Sequence, residues 1–150
     1  MDYEADFYAW TQAQAAALRQ ASSARVNAPA MIDWEHIAEE LEIMGASQRS
    51  EIESRLKVLL EHLLKLAFTR DRYSRNGWRR TVREQRDRIE ISIRQSPSLQ
   101  TYPASVLAKA YSKARRDFLD EYDVPDLAKT CPFDLEHEVL ADEWFPSETS

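Results

Sequence analysis

DWEHIAEELEIMGASQRSEIESRLKVLLEHLLKLAF, residues 33–68, is the stretch whose reading decides the fold. Trp34, Ile37, Ala38, Leu41 and Met44 recur at three- and four-residue steps, which puts them on one face of a 3.6-residue helix and predicts that this face is buried. Asp33 stands where an N-cap belongs, because its carboxylate can accept the free N–H groups of a first turn. Ile32 and Ile37 have the spacing of a hydrophobic staple. From Ile52 onward, Leu56, Leu59, Leu60, Leu63, Leu64 and Ala67 form a stripe wide enough to meet more than one neighbouring helix, so this half is the expected core. A single straight helix over the whole stretch would run roughly 50 Å, at about 1.5 Å per residue, which is longer than a compact domain of this size is wide. A break is therefore expected at Gly45, with Ser47 capping the helix that follows.

The 150 residues around this stretch allow one domain, 1–150, with one core. Hydrophobic residues make up 43% of the chain, an ordinary globular share, whereas two glycines are too few for a turn-rich β protein. One cysteine excludes an internal disulfide and fits a reducing compartment. The opening MDYEADFYAW lacks the basic and apolar regions of a secretion signal. No apolar run approaches the roughly 18 residues of a membrane span. The expected setting is the cytoplasm, with no membrane partner.

The net charge of −6 is unevenly laid out. Residues 1–48 carry 2 basic and 8 acidic side chains, residues 49–94 carry 13 and 7, and residues 95–150 carry 5 and 11. Acidic ends packed over a basic centre would neutralise one another within one fold; a basic binding face is the sharper reading.

Residues 6–19, DFYAWTQAQAAALR, read as a helix with Phe7, Trp10, Gln14, Ala17 and Leu18 on one side, and the clustered Tyr3, Phe7, Tyr8 and Trp10 as the anchor of that helix to the core. Residues 21–31 lose the periodicity, contain Pro29 and read as a loop. Residues 69–77 read as a connection with a turn at Asn76-Gly77. Trp78, Val82, Gln85, Ile89 and Ile93 then line the inner face of a helix running to about Gln95. Ser96-Pro97-Ser98 breaks it, with serine free to cap the next turn. Pro103 opens a last long helix through Val106, Leu107, Ala110, Tyr111, Ala114, Phe118 and Leu119, ending near Tyr122, with Lys109, Lys113, Arg115 and Arg116 outward. Asp134 is placed to cap a short helix over 135–140, and Phe133, Trp144 and Phe145 to pin the tail. Long helices with short connections favour antiparallel neighbours, so the expected fold is all-α: an up-and-down antiparallel bundle of about four long helices plus a short terminal one.

Catalytic constellations are not apparent. The three histidines have carboxylate neighbours, His36 with Glu40, His62 with Glu61 and His137 with Glu136 or Glu138, and Glu40 and His62 are the candidate pocket residues, yet no Glu-x-x-His occurs of the kind that binds metal inside bundles. Cys131 precedes a proline and has no recognisable base. Two glycines allow neither a strained serine elbow nor a phosphate-cradling loop. No cofactor, metal or catalytic residue is assigned. From Arg70 to Arg88 there are eight arginines and no lysine, interleaved with Tyr73 and Trp78. Guanidinium groups bind phosphate and carboxylate in a bidentate way and stack on flat rings, so Arg75, Arg79, Arg80, Arg83 and Arg86 are the candidate contacts for an anion or a partner. The spacing of Arg80, Glu84 and Arg88, and of Arg83 and Asp87, also predicts pairs spent along their own helix.

In their order and spacing, DFYAWTQ (6–12), DWEHIAEELEIMG (33–45), LLEHLLK (59–65), WRRTVREQR (78–86), SPSL (96–99) and CP (131–132) resemble the bacterial family catalogued as domain of unknown function twenty-nine. Residues 22–31 depart from its pattern, being longer and without an expected glycine. The resemblance implies a small all-helical bacterial protein and brings no activity, ligand or catalytic residue. Function is thus expected to be non-catalytic and exerted through contacts with an unidentified protein, a second copy included. Nucleic-acid binding through 70–88 is the first alternative, and a metal or small-molecule enzyme at Glu40 and His62 the second.

Overall fold

The computed structural model describes residues 2–24 and 31–147, so most of the loop expected over 21–31 lies outside the described residues. Four long helices follow in order: α1 (Phe7–Ala24), α2 (Trp34–Phe68), α3 (Arg75–Gln95) and α4 (Tyr102–Glu121). A 3-10 turn, Pro97–Leu99, separates the last two, and one π-helical turn, Leu135–Val139, follows α4. No strand occurs among the described residues, and the fold is an all-α helical bundle. The chain groups into two compact units, residues 1–51 with 92–100, and residues 52–91 with 101–150.

Two expected boundaries are corrected. Residues 21–24 are helical, because the later turns of α1 are fastened by charge rather than burial: Arg19 pairs with both Glu35 and Glu42. The break expected at Gly45 is absent, and α2 runs unbroken for 35 residues. Gly45 serves another purpose. A Cβ built there would lie 2.6 Å from Thr11 Oγ1 and 2.9 Å from Gln12 Nε2, so the residue lets α1 cross α2 closely. Ser47 accordingly caps nothing.

In the first unit α1 and the opening of α2 are antiparallel, Arg19 lying beside Glu35 and Glu42 while Arg49 Nη1 donates to the Tyr8 hydroxyl at 2.9 Å. Their seam is built from Thr11, Ala15, Ala38 and Gly45, all buried. The expected stripe is rotated away from it. Ile37 and Met44 are 43% and 45% exposed, because α1 lies against the line through Ala38, Glu42, Gly45 and Arg49. The same rotation leaves Gln14 and Ala17 of α1 exposed. Asp33 does cap α2, accepting the His36 N–H at 3.2 Å. The N-terminus of α1 is tied to the Ser-Pro-Ser turn. Asp6 Oδ1 accepts the Ala9 N–H at 2.8 Å and the Ser98 hydroxyl at 2.9 Å, while Oδ2 accepts the Ser98 N–H at 2.6 Å. Ser96 does not cap the turn it precedes; its hydroxyl accepts the Tyr8 N–H at 2.8 Å and donates to Gln48 Oε1.

The second unit holds the aliphatic core. Ile52, Leu56, Leu59, Leu60, Leu63, Leu64 and Leu66 are fully buried, each aliphatic side chain contributing about 1.5–3 kcal/mol. Here α2 and α3 are antiparallel, Arg55 meeting Gln85 and Lys65 lying over the Trp78 ring. Trp78, Val82, Gln85 and Ile89 face inward as expected. The later part of α2 and α4 are parallel, since Glu53 pairs with Lys109 and Lys113, Lys57 with Asp117, and Lys65 with Glu121. An up, down, up sequence of helices requires that. From α4, Ala110, Tyr111, Ala114 and Phe118 are buried, and the Tyr111 hydroxyl holds the following segment by donating to the Ala128 carbonyl at 2.6 Å.

The Asn76-Gly77 turn is also corrected: both residues are helical. Asp71 forms the turn instead, accepting the N–H groups of Tyr73 and Ser74 at 2.9 and 3.2 Å, so that α3 begins at Arg75.

Candidate functional site

Three faces of α3 follow from 100° per residue. Trp78, Val82, Gln85 and Ile89 are buried. Arg79, Arg83 and Arg86 share a second face, and Arg80, Glu84 and Arg88 a third.

The candidate arginines divide among these environments. Arg75 is buried and donates to the carbonyls of Leu66 at 2.8 Å and Thr69 at 3.2 Å, capping the last turn of α2. Arg86 is buried at 5% exposure, its Nε donating to the Val139 carbonyl at 2.8 Å and its Nη2 to the Glu138 carbonyl at 2.9 Å. Both are therefore parts of the fold first. Around the Phe145 ring, the guanidinium carbons of Arg79, Arg83 and Arg86 stand 5.4, 5.1 and 5.4 Å from the ring centre. Trp144 beside it packs edge-on against Phe133 at 5.8 Å, so all three expected aromatics pin the tail. Arg80 and Arg83 are exposed.

The pairs expected along α3 are not formed. Among the described residues no ion pair joins Arg80, Glu84 and Arg88, or Arg83 and Asp87. The basic centre meets the acidic C-terminal flank at Lys57 with Asp117 and Lys65 with Glu121, whereas Arg86 is held by neutral carbonyls. Burial lowers the Arg86 proton affinity, Asp142 opposing that effect and Arg83 adding to it. Three buried donors have no hydrogen-bond partner among the described residues, Trp34 Nε1 on α2 and, on this face of α3, Arg79 Nε and Arg86 Nη1. A cavity of about 250 Å³ adjoins Arg86, lined also by Arg83, Asp87, Glu90, Asp142 and Glu143. Glu143 has a positive φ of 67°.

Glu40 and His62 are not brought together. Both lie on α2, 22 residues or about six turns apart; Glu40 is exposed, and His62 Nδ1 lies 2.8 Å from the Val58 carbonyl. Desolvation lowers the His62 pKa, which keeps the ring neutral. No cluster of three metal-ligating side chains occurs among the described residues. The Cys131 thiol has its pKa raised by burial, the opposite of what a nucleophile needs. No helix among the described residues is long and apolar enough to cross a membrane.

The first unit holds a larger open cavity of about 530 Å³, lined by Tyr3, Phe7, Met44, Gln48 and Gln95 among others. None of the candidates read from sequence lines it. The only signal for it in the sequence is the crowding of Tyr3, Phe7 and Trp10, whose rings pack with Tyr3 edge-on to both others.

The chain is similar to an α-helical protein of unknown function from Rhodospirillum rubrum, known from its crystal structure, at 27% identity and a TM-score of 0.78 over 96% of this chain and 92% of that one. No curated protein matches it. The match to the family described as Domain of unknown function DUF29 runs over residues 3–145, and the chain belongs to that family.

Proposed function

We propose that this protein is a non-catalytic cytoplasmic helical-bundle protein that acts through protein contacts, with the exposed Arg80, Glu84, Arg88 face of α3 as its contact surface. The observation that carries this reading is that these three alternating charges stand in solvent without ion pairs among the described residues. Paired charges would have been spent on the helix; unpaired ones of both signs are available to a partner of matching pattern. The single cysteine supports a reducing compartment. The family match, which extends through both compact units, supports a single functional domain over 1–150.

Nucleic acid is the weaker reading. Phosphates approaching Arg80 and Arg88 would also meet Glu84 and Asp87, whereas a protein partner supplies both signs. Size-exclusion with light scattering, together with affinity capture, tests the proposal. Self-association or capture of a defined protein is expected, lost on Arg80→Glu with Arg88→Glu. A strict monomer that captures nothing would remove its basis. Retention of RNA or DNA falling steeply with salt would favour the alternative.

A further inference from the structure

The cavity beside Arg86 has a charge gradient. At its base is a guanidinium 5% exposed, with Nε and Nη2 committed to the carbonyls of Val139 and Glu138 and Nη1 buried without a partner. Those carbonyls are neutral, so no counter-charge lies within hydrogen-bond distance of the buried cation among the described residues. Arg83, Asp87, Asp142 and Glu143, which line the same cavity, are exposed. The base is therefore positive and the rim predominantly negative. Along α3 the sign changes over about two turns, from Arg83 and Arg86 to Asp87 and Glu90.

We propose that this cavity binds a small zwitterion, an α-amino acid, with its carboxylate on Arg86 Nη1 and Arg83 and its ammonium group among the carboxylates of Asp87, Asp142 and Glu143. A free polyanion such as phosphate has to pass the acidic rim, which repels it. A divalent cation would meet the guanidinium at the base. A molecule with its negative end inward and its positive end outward matches both layers and supplies the missing acceptor. The volume, about 250 Å³, lies below the roughly 300–1,000 Å³ of pockets for drug-sized molecules, which limits the ligand to a few heavy atoms. The left-handed backbone of Glu143 holds the 142–143 turn that closes one side.

The proposal goes beyond the protein-contact reading and uses a different face of α3. Calorimetry and thermal shift on the full chain at constant ionic strength test it, with glycine, alanine and serine as probes and acetate, methylammonium and inorganic phosphate as comparators. Saturable millimolar or tighter binding of an amino acid is expected, with acetate and methylammonium each weaker by about tenfold or more. Arg83→Gln and Asp142→Asn, which leave the Arg86 carbonyl bonds in place, should each weaken it. Arg80→Glu should not, whatever it does to protein contacts. Three results would overturn the proposal: no saturable binding of any amino acid, acetate binding as well as glycine, or unchanged affinity in both rim variants.

Discussion

Gly45 of α2 approaches Thr11 of α1 so closely that a methyl group on Gly45 would sit 2.6 Å from Thr11 Oγ1. That hydroxyl cannot swing aside freely, since it donates to the Tyr8 carbonyl at 2.7 Å and is buried. Gly45→Ala sets a helix-propensity gain of about 1 kcal/mol against overpacking of about 1–3 kcal/mol. The expected outcome is net destabilisation of up to about 2 kcal/mol in urea unfolding. Gly77→Ala supplies the contrast: a methyl group on Gly77 would meet nothing within 4 Å, so the same exchange should be neutral or stabilising by up to about 1 kcal/mol. Equal effects at the two sites would refute the close crossing.

Ser96 provides for two groups outside its own turn. Ser96→Ala leaves the Tyr8 N–H at the start of α1 and Gln48 Oε1 without their Ser96 partner. A loss of about 1–2 kcal/mol is expected, the range of a lost helix cap. Asp6→Ala should cost at least as much, because its carboxylate accepts from Ala9 and twice from Ser98. Hydrogen exchange at residues 8–10 reads both directly, and unchanged protection there would show that the ties carry no stability.

What is legible in the sequence is local or periodic. The caps at Asp33 and Asp134, and the aliphatic stripe from Ile52 to Ala67, are visible because an N-cap and a 3.6-residue repeat are written in consecutive residues. Gly45 misleads because a glycine that ends a helix and a glycine that admits a neighbour look alike until the neighbour is known. Arg75 and Arg86 stand out as members of a charge cluster, while their partners, the carbonyls of residues 66, 69, 138 and 139, leave no mark in side-chain composition. The first face of α2 reads about one residue out of phase, since small residues, rather than the largest ones, form its seam.

The three histidines should titrate in a split order. Burial lowers the His62 pKa below the ordinary 6.5, whereas the carboxylate of Asp33 raises that of His36 and the carboxylate of Asp134 raises that of His137. A histidine whose folded pKa is depressed binds fewer protons folded than unfolded as pH falls through 6.5, so His62 makes the fold less stable on that descent. His36 and His137 act in the opposite sense, contributing below 6.5 and losing that contribution as pH rises through their folded values. NMR titration should place His62 below 6.5 and the other two above it. In His62→Gln the acid-side loss of melting temperature should be smaller than in the wild type. A His62 midpoint above 6.5 would contradict its burial.

The segment that carries Phe145 is held to α3 chiefly by one side chain. Arg86 places two donors on adjacent carbonyls, Val139 and Glu138, and joins Arg79 and Arg83 around the Phe145 ring. Lysine has the charge but lacks the planar fork that reaches two carbonyls at once. Arg86→Lys should therefore cost about 2–3 kcal/mol, the loss of charge-assisted bonds in a buried setting, with Arg86→Met no more harmful because it also removes a buried cation. Phe145→Ala removes three contacts worth about 0.5–1 kcal/mol each and should cost about 1.5–3 kcal/mol. In all three variants amide exchange should quicken over residues 134–145 while the buried middle of α4, around Tyr111 to Phe118, keeps its protection. Should Arg86→Lys match the wild type, charge alone would be holding the tail, and the carbonyl geometry would have no energetic role.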